Sequence, residues 1–462
     1  MMIIAVVCVM TASAQAKYIF YMIGDGMGVN QVLGSEMYLA ELEGRIGRKQ
    51  LCMTQFPYSG QLSTFSASNG ITDSSAAGTC LASGVKTTNH TLGLDDKGQP
   101  VKTIAEILHN FDWSVGIMTS VSIDHATPGA FYAHVESRSD YYTVGRQLAE
   151  SGFEFFGGGT FYQPFDKKDP EGSENVYDLC EAAEYQFAHG YQEYAGMEDA
   201  RRLILIQAHE GLTKDYKGRG MIPYAIDKQP DDLTLPQITE VAIDFLSRKN
   251  KPFFMMIEGG AIDWACHSND AATVIGEVIE FDDAIKLAYK FYTQHPDETL
   301  IVVTADHETG GMALGNSDYT LNLQALQYQK ESIDRLSDEI KALHQQYGKK
   351  LQWKQVKDVF RTQLGLYDNV QVKAAEDAEL QAAFKEMISN KATDEKTLYS
   401  SHSSLSAKAV KLLNKKSKVG WTTNAHSAAA VPLFAIGAGA ELFTGWHDNS
   451  EVMPLMLKAA GF

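Results

Sequence analysis

The sequence predicts an α/β fold, a three-layer α/β/α sandwich on a large, mainly parallel central sheet, with an inserted and mostly helical subdomain. Two observations carry this. Short, continuously apolar runs stop at acidic or glycine-rich turns, as buried strands of a parallel sheet do. A long polar stretch over residues 318–420 lacks that pattern and interrupts it.

Residues 17–23 (KYIFYMI) end at Gly24-Asp25-Gly26-Met27-Gly28, so a buried strand delivers a carboxylate to a tight turn. Residues 252–258 (PFFMMIE) and 299–304 (TLIVVT) follow the same rule, and each runs directly into acidic residues and histidines. Between them, 270–292 repeats apolar residues at Ile275, Val278, Ile279, Ile285 and Ala288, close to a helical period. Strands alternating with such helices build a parallel sheet, and ligands of such sheets sit beyond the carboxyl ends of the strands. Residues 328–366 and 374–390 are rich in Lys, Glu and Gln and nearly free of Gly and Pro, which predicts helices. The strand pattern resumes at 429–436 (AAVPLFAI).

The chain has 462 residues, 44% apolar and 21% charged, which excludes a disordered protein. Its 58 acidic against 40 basic residues give a net charge of −18, which argues against a nucleic-acid scaffold. An anionic substrate must therefore be held by local positive charge, and metal ions supply it most directly. The 318–420 stretch differs in this too: it carries 17 basic and 13 acidic residues, leaving −22 on the rest of the chain.

Residues 1–10 (MMIIAVVCVM) are apolar and are followed by the small-residue segment TASAQA, which predicts a cleaved signal peptide over 1–16. The apolar run is too short to span a bilayer, so no membrane anchor is expected and the mature chain is placed in the periplasm or outside the cell. The mature chain is then one catalytic domain, 17–462, with its helical insertion at about 318–420. Cys52, Cys80, Cys180 and Cys266 remain after loss of Cys8; they allow three full pairings, among which the sequence does not choose. No CxxC pair is present, which excludes a cysteine-rich zinc module.

Polar groups gather where the apolar strands stop. Asp25 follows the first; Glu258 ends another, with Asp263 and His267 beyond it; Asp306-His307 follows TLIVV; and His426 lies in TTNAHS. On a helix, Asp263 and His267 share one face and can bind one cation. So many carboxylates placed after buried strands would be very costly without a counter-charge, which points to metals. Thr72-Asp73-Ser74-Ser75 opens a stretch with helical potential. Ser74 or Ser75 there is a helix N-cap, or a nucleophile if a metal ion takes its proton. Arg138 is a candidate clamp for two phosphoryl oxygens through its guanidinium fork.

Taken together, GDGMG (24–28), TDSSAAGT (72–79), GVKT (84–87), HATP (125–128), IEGGAIDWACH (257–267), TADHETGG (304–311) and NAHSA (424–428) resemble the alkaline phosphatase family. They stand in that family's order from about residue 18 to the end, least similar over the insertion. The resemblance implies hydrolysis of phosphate monoesters of broad specificity through a phosphoserine on Ser74, with two zinc ions and one magnesium ion per subunit. It implies that Asp263, His267 and His426 hold one zinc and that Asp25, Asp306 and His307 hold the second. Magnesium falls to Asp25, Thr127 and Glu258, and Arg138 clamps phosphate with Asp73 orienting it. It further implies a homodimer.

His125 and Trp264 stand where the best-known bacterial members have Asp and Lys, though other members carry the same pair. They are expected to pack behind the magnesium and phosphate sites, leaving the third metal and the hold on phosphate as the features they affect. Two other readings compete: a phosphodiesterase or sulfatase with the same metals, and a non-catalytic metal or phosphate scavenger. Thr127 and Glu258 favour the monoesterase over the first, since a third cation serves the extra charge of a dianion. The full set of ligands together with Ser74 disfavours the second.

Overall fold

The computed structural model describes residues 15–197, 199–208, 220–316, 318–389 and 393–462. Nearly all of the expected signal peptide, residues 1–14, therefore lies outside the described residues.

The core is a ten-stranded sheet. Counting only its own strands in chain order, these are β1 (Tyr18–Gly24), β2 (Tyr58–Ser63), β3 (Ser114–Thr119), β4 (Phe155–Gly158), β5 (Tyr185–His189), β6 (Arg202–Ile206), β7 (Phe253–Gly259), β8 (Thr299–Thr304), β9 (Val431–Gly437) and β10 (Gly445–Asp448). They lie in the spatial order β10-β2-β9-β8-β1-β7-β3-β4-β6-β5. Strand β9 runs antiparallel to both neighbours, and every other pairing is parallel. The sequence patterns at β1, β7, β8 and β9 are those of the four apolar runs, each within two residues of its expected limits.

The central strands are apolar on both faces because both faces are covered. Ile19, Phe20, Tyr21, Met22 and Ile23 of β1 have no exposed surface, and β7 is buried along its whole length. The 24-residue helix Ala271–Gln294 matches the expected helical period and buries Val278, Phe281, Ile285 and Ala288 against this sheet. Register sets the site: Ile23 lies opposite both Glu258 and Thr304, so β1, β7 and β8 end level.

The 318–420 stretch contains the helices Ile333–Tyr347, Trp353–Leu364, Ala374–Ile388 and Ser404–Ser417. The helical run expected over 328–366 is broken, because Gly348 takes a positive φ of 53° and a short turn, Gly348–Lys350, separates the first two helices. A second apolar cluster, including Leu336, Phe360, Leu405 and Leu413, holds these helices and joins the main body through Ala271 and Ile275. Cys52, Cys80, Cys180 and Cys266 are all unpaired, so none of the three possible pairings forms.

Gly26, in the turn after β1, has φ of +70°, and a Cβ there would meet Asp263 Cα, Asp263 Oδ1 and Thr309 Oγ1 at 2.9 Å each. Gly26→Ala combines strain with displacement of Asp263 and is expected to cost about 1–3 kcal/mol. A denaturant midpoint equal to that of the parent would show that this turn does not pack as described.

Candidate active site

Because β1, β7 and β8 end level, the residues following them converge. Asp25 leaves β1, Glu258 is the penultimate residue of β7, and Asp306 and His307 leave β8; all four have no exposed surface. The helix Ala261–His267 starts directly after β7 and sets Asp263 and His267 on one face, as their spacing predicts. His426 arrives on a short strand, His426–Ser427, paired with Glu308–Thr309.

These side chains form three overlapping groups whose ligand atoms lie within 4.8 Å of one another: Asp263, His267 and His426; Asp25, Asp306 and His307; and Asp25, Glu258 and His125. His267 Nε2 lies 3.3 Å from Asp263 Oδ2 and 3.2 Å from His426 Nε2. His307 Nε2 lies 3.4 Å from Asp25 Oδ1 and 3.3 Å from Asp306 Oδ2. The three rings are aimed from behind. His267 Nδ1–H donates to the Asn424 carbonyl at 2.6 Å, His426 Nδ1–H donates to that of Thr72 at 2.9 Å, and His307 Nδ1 meets Thr309 Oγ1 at 3.2 Å. Each Nε2 is thereby left facing the centre, the arrangement by which neighbours orient metal-binding histidines.

The electrostatics call for cations. Both carboxylate oxygens of Asp25, Oδ2 of Asp263 and of Asp306, Oε1 of Glu258 and Thr127 Oγ1 are buried without a hydrogen-bond partner. Burial, followed by the neighbouring carboxylates, pushes Asp25 and Asp306 well above the ordinary range, and burial carries Glu258 to about 7. Burial also opposes ionisation of Asp263, yet His267, with His426 and His307, holds it below its ordinary value. A carboxylate cluster that repels itself and retains unused lone pairs fits divalent cations. The two nitrogen-and-oxygen groups suit zinc, and the oxygen donors Asp25, Glu258 and Thr127 suit magnesium.

The helix Ser74–Ser83 brings its N-terminus to this centre. Asp73, and neither serine, caps it: the Asp73 carboxylate accepts from the Ala76 N–H at 3.0 Å. The capping alternative for Ser74 and Ser75 is therefore corrected, since Ser74 is the first helical residue and Asp73, just before it, holds the N-cap position. The two serines also diverge. Ser75 donates to Asp73 Oδ2 at 2.7 Å, whereas buried Ser74 has its Oγ 3.2 Å from His307 Nε2, facing the second group.

Arg138 closes the other side. Its guanidinium donates to Asp73 Oδ2 at 3.3 Å, to His125 Nε2 at 3.1 Å and to the Tyr399 hydroxyl at 3.2 Å. Burial pushes the Asp73 carboxyl up, but Arg138 and the N-cap hydrogen bond keep it below its usual value, so it stays an anionic anchor for Arg138. Burial and Arg138 lower His125 to about 3, leaving a neutral ring that serves as an acceptor. His125 therefore reaches both Arg138 and the third carboxylate group, nearer to the centre than its expected place in packing. Trp264 lies flat on Tyr399, with ring centres 4.5 Å apart at an interplanar angle of 14°.

Tyr399 is the residue that sequence reasoning missed. It comes from the insertion and touches Arg138, His125, His267 and Trp264. Neither its spacing nor a motif ties it to the strand ends, so only folding of the insertion reveals it.

A family model described as alkaline phosphatase matches residues 16–462. Alkaline phosphatase 4 of Bacillus subtilis is 30% identical, the alignment covering 96% of this chain and 89% of the relative. The repressible alkaline phosphatase of Saccharomyces cerevisiae is 25% identical over 96% of this chain and 81% of its own length. Among solved structures, the cold-active alkaline phosphatase of the psychrophile Shewanella sp. superposes with a TM-score of 0.79 at 26% identity, covering 96% of this chain and 100% of that one. That of the Antarctic bacterium TAB5 gives 0.67 at 25% identity, covering 96% and 98%. With the whole of the described fold and every strand-end motif inside these matches, the chain belongs to the alkaline phosphatase family, enzymes that hydrolyse phosphate monoesters.

Proposed function

We propose that hydrolysis proceeds through a phosphoserine on Ser74, with two zinc ions and one magnesium ion bound by the three buried groups. The observation that carries this reading is Ser74 Oγ, at the N-terminus of its helix and 3.2 Å from His307, beside carboxylates that lack partners. Asp263, His267 and His426 would hold one zinc, Asp25, Asp306 and His307 the other, and Asp25, Thr127 and Glu258 the magnesium. Bound there, such ions supply charge neutralisation, a lowered Ser74 pKa and an activated water.

Ser74 Oγ, its proton given up, attacks phosphorus as the ester P–O bond breaks and the alcohol leaves carrying a proton; water then attacks the phosphoserine, releasing inorganic phosphate and restoring the serine hydroxyl. Amide N–H groups at the start of the Ser74–Ser83 helix favour the transferred anion. Arg138, anchored by Asp73, holds two phosphoryl oxygens in its fork. His125 and Tyr399 fix the other side of that fork, so the guanidinium is positioned before substrate arrives. Cleavage of a leader ahead of residue 17 and export, read from the apolar and small residues of 1–16, and assembly as a homodimer, implied by the resemblance, belong to the same proposal. Among the described residues, no helix is long and apolar enough to cross a membrane.

Ser74→Ala is expected to lower turnover of an aryl phosphate at least about a thousandfold while keeping the parent's metal content. Near-normal turnover would remove Ser74 as nucleophile and bring Ser75 forward. Chelation should abolish activity, with zinc and magnesium together restoring it; activity that survives complete chelation would refute the metal assignment. Tyr399→Phe keeps the ring on Trp264 but removes a hydrogen bond to a charged group worth about 1 kcal/mol in a partly wet site. The KM for a phosphate monoester should rise about fivefold, with kcat changing less. An unchanged KM would show that the hydroxyl does not hold Arg138.

A further inference from the structure

A groove of about 1040 Å³ runs between the insertion and the active site, and one end of it is lined by His267 and Asn424. Ser74 Oγ faces the group of His307, and in-line displacement sends the leaving oxygen away from the attacking one, toward the group of His267, so the groove opens on the side where the alcohol portion of the substrate departs. Its lining is unlike the rest of the protein. Seven lysines face three glutamates, in a chain whose net charge is −18.

The helix Ser404–Ser417 generates this charge by spacing. Lys408, Lys411 and Lys415 follow one another at i, i+3 and i+7, so they share one face, and all three are exposed. The other side buries Leu405, Ala409 and Leu413, which fixes the rotation of the helix and keeps the lysine stripe on the groove. Lys373 and Lys396 line it as well. Among the described residues these five make no ion pair, whereas Lys416 is matched by Glu376 at 2.6 Å and Lys418 by Asp318 at 3.0 Å. Unmatched cations concentrated beside an acidic body focus field into the groove and draw anions to it.

We propose that this groove is a leaving-group subsite for phosphate monoesters whose alcohol carries further phosphate groups, polyphosphorylated small molecules. The inference rests on the phosphomonoesterase reading above and extends it. A volume of about 1040 Å³ is large enough for a small molecule that bears several phosphate groups.

The test uses the full, metal-loaded enzyme and the triple variant K408Q/K411Q/K415Q, none of whose positions touches the reaction centre. A control variant, K349Q/K350Q/K354Q, removes equal charge elsewhere on the insertion. Each is assayed at low salt with adenosine 5′-monophosphate, adenosine 3′,5′-bisphosphate and a 5′-phosphorylated oligonucleotide, and equilibrium binding of the bisphosphate is measured separately. The groove variant should lose about tenfold in kcat/KM and in affinity for the bisphosphate. Its monophosphate turnover should stay within about twofold, and the control should keep the parent's ratio. Equal ratios in parent and groove variant would overturn the subsite, as would the same loss in the control. A loss confined to the oligonucleotide would overturn it in favour of a nucleic-acid end. If the parent hydrolyses no monoester, the phosphomonoesterase reading fails by itself, and the binding measurement still decides the groove.

Discussion

Mutual repulsion among four buried carboxylates is the constraint on which the rest of the molecule depends. Asp25, Glu258, Asp263 and Asp306 have no exposed surface, and several of their oxygens have no protein partner. No apolar core tolerates such a cluster without compensating positive charge. The sheet brings it about: three parallel strands ending at one level necessarily bring their following residues together. The fully apolar strands beneath contribute the rigidity that holds those residues in place although they repel one another. Stability made along β1, β7 and β8 is thus partly opposed at their carboxyl ends, where divalent cations relieve the repulsion.

The second level of organisation is the fixing of direction. Three histidines meet backbone carbonyls or a threonine hydroxyl with one nitrogen and face inward with the other. Asp73 serves both the helix and the clamp, because one carboxylate caps the Ser74 helix and also receives Arg138 and Ser75. Loss of Asp73 would therefore loosen the start of the Ser74 helix and the Arg138 guanidinium together. Such sharing explains how a small number of residues positions the whole centre.

Much of this was legible in the sequence because it depends on local order. Asp25, Glu258, Asp263, His267, Asp306 and His307 stand at strand ends or on the following helical turn, and an apolar run followed at once by a carboxylate announces that placement. The strands β3, β4, β5 and β6 were less distinct, being short or mixed in composition, and they extend the sheet away from the site. Other features needed the fold. The choice between Ser74 and Ser75 turns on which hydroxyl faces His307, a matter of helix rotation that sequence does not fix. Tyr399 reaches Arg138 across 261 residues of chain, and no periodicity encodes that contact.

The contacts of Arg138 show how the insertion and the body jointly fix one buried guanidinium. The groups around the guanidinium include one anion, Asp73, together with a neutral His125 and a tyrosine hydroxyl. Trp264 stacks on Tyr399 and contributes no charge of its own. In the proposed reading, phosphate would therefore meet Arg138, held through Tyr399 and its stacking on Trp264, beside the charge of the metals. Coulombic binding acts on substrate and product phosphate alike, so an additional lysine would tighten both and accelerate neither unless it favoured the transition state. An aromatic wall orients Arg138 without adding that uniform attraction. It also makes the orientation of Arg138 depend on the insertion, since Tyr399 completes the wall from there. The proposed groove subsite and the proposed phosphate clamp thus share one inserted segment, which supplies lysines to the first and Tyr399 to the second.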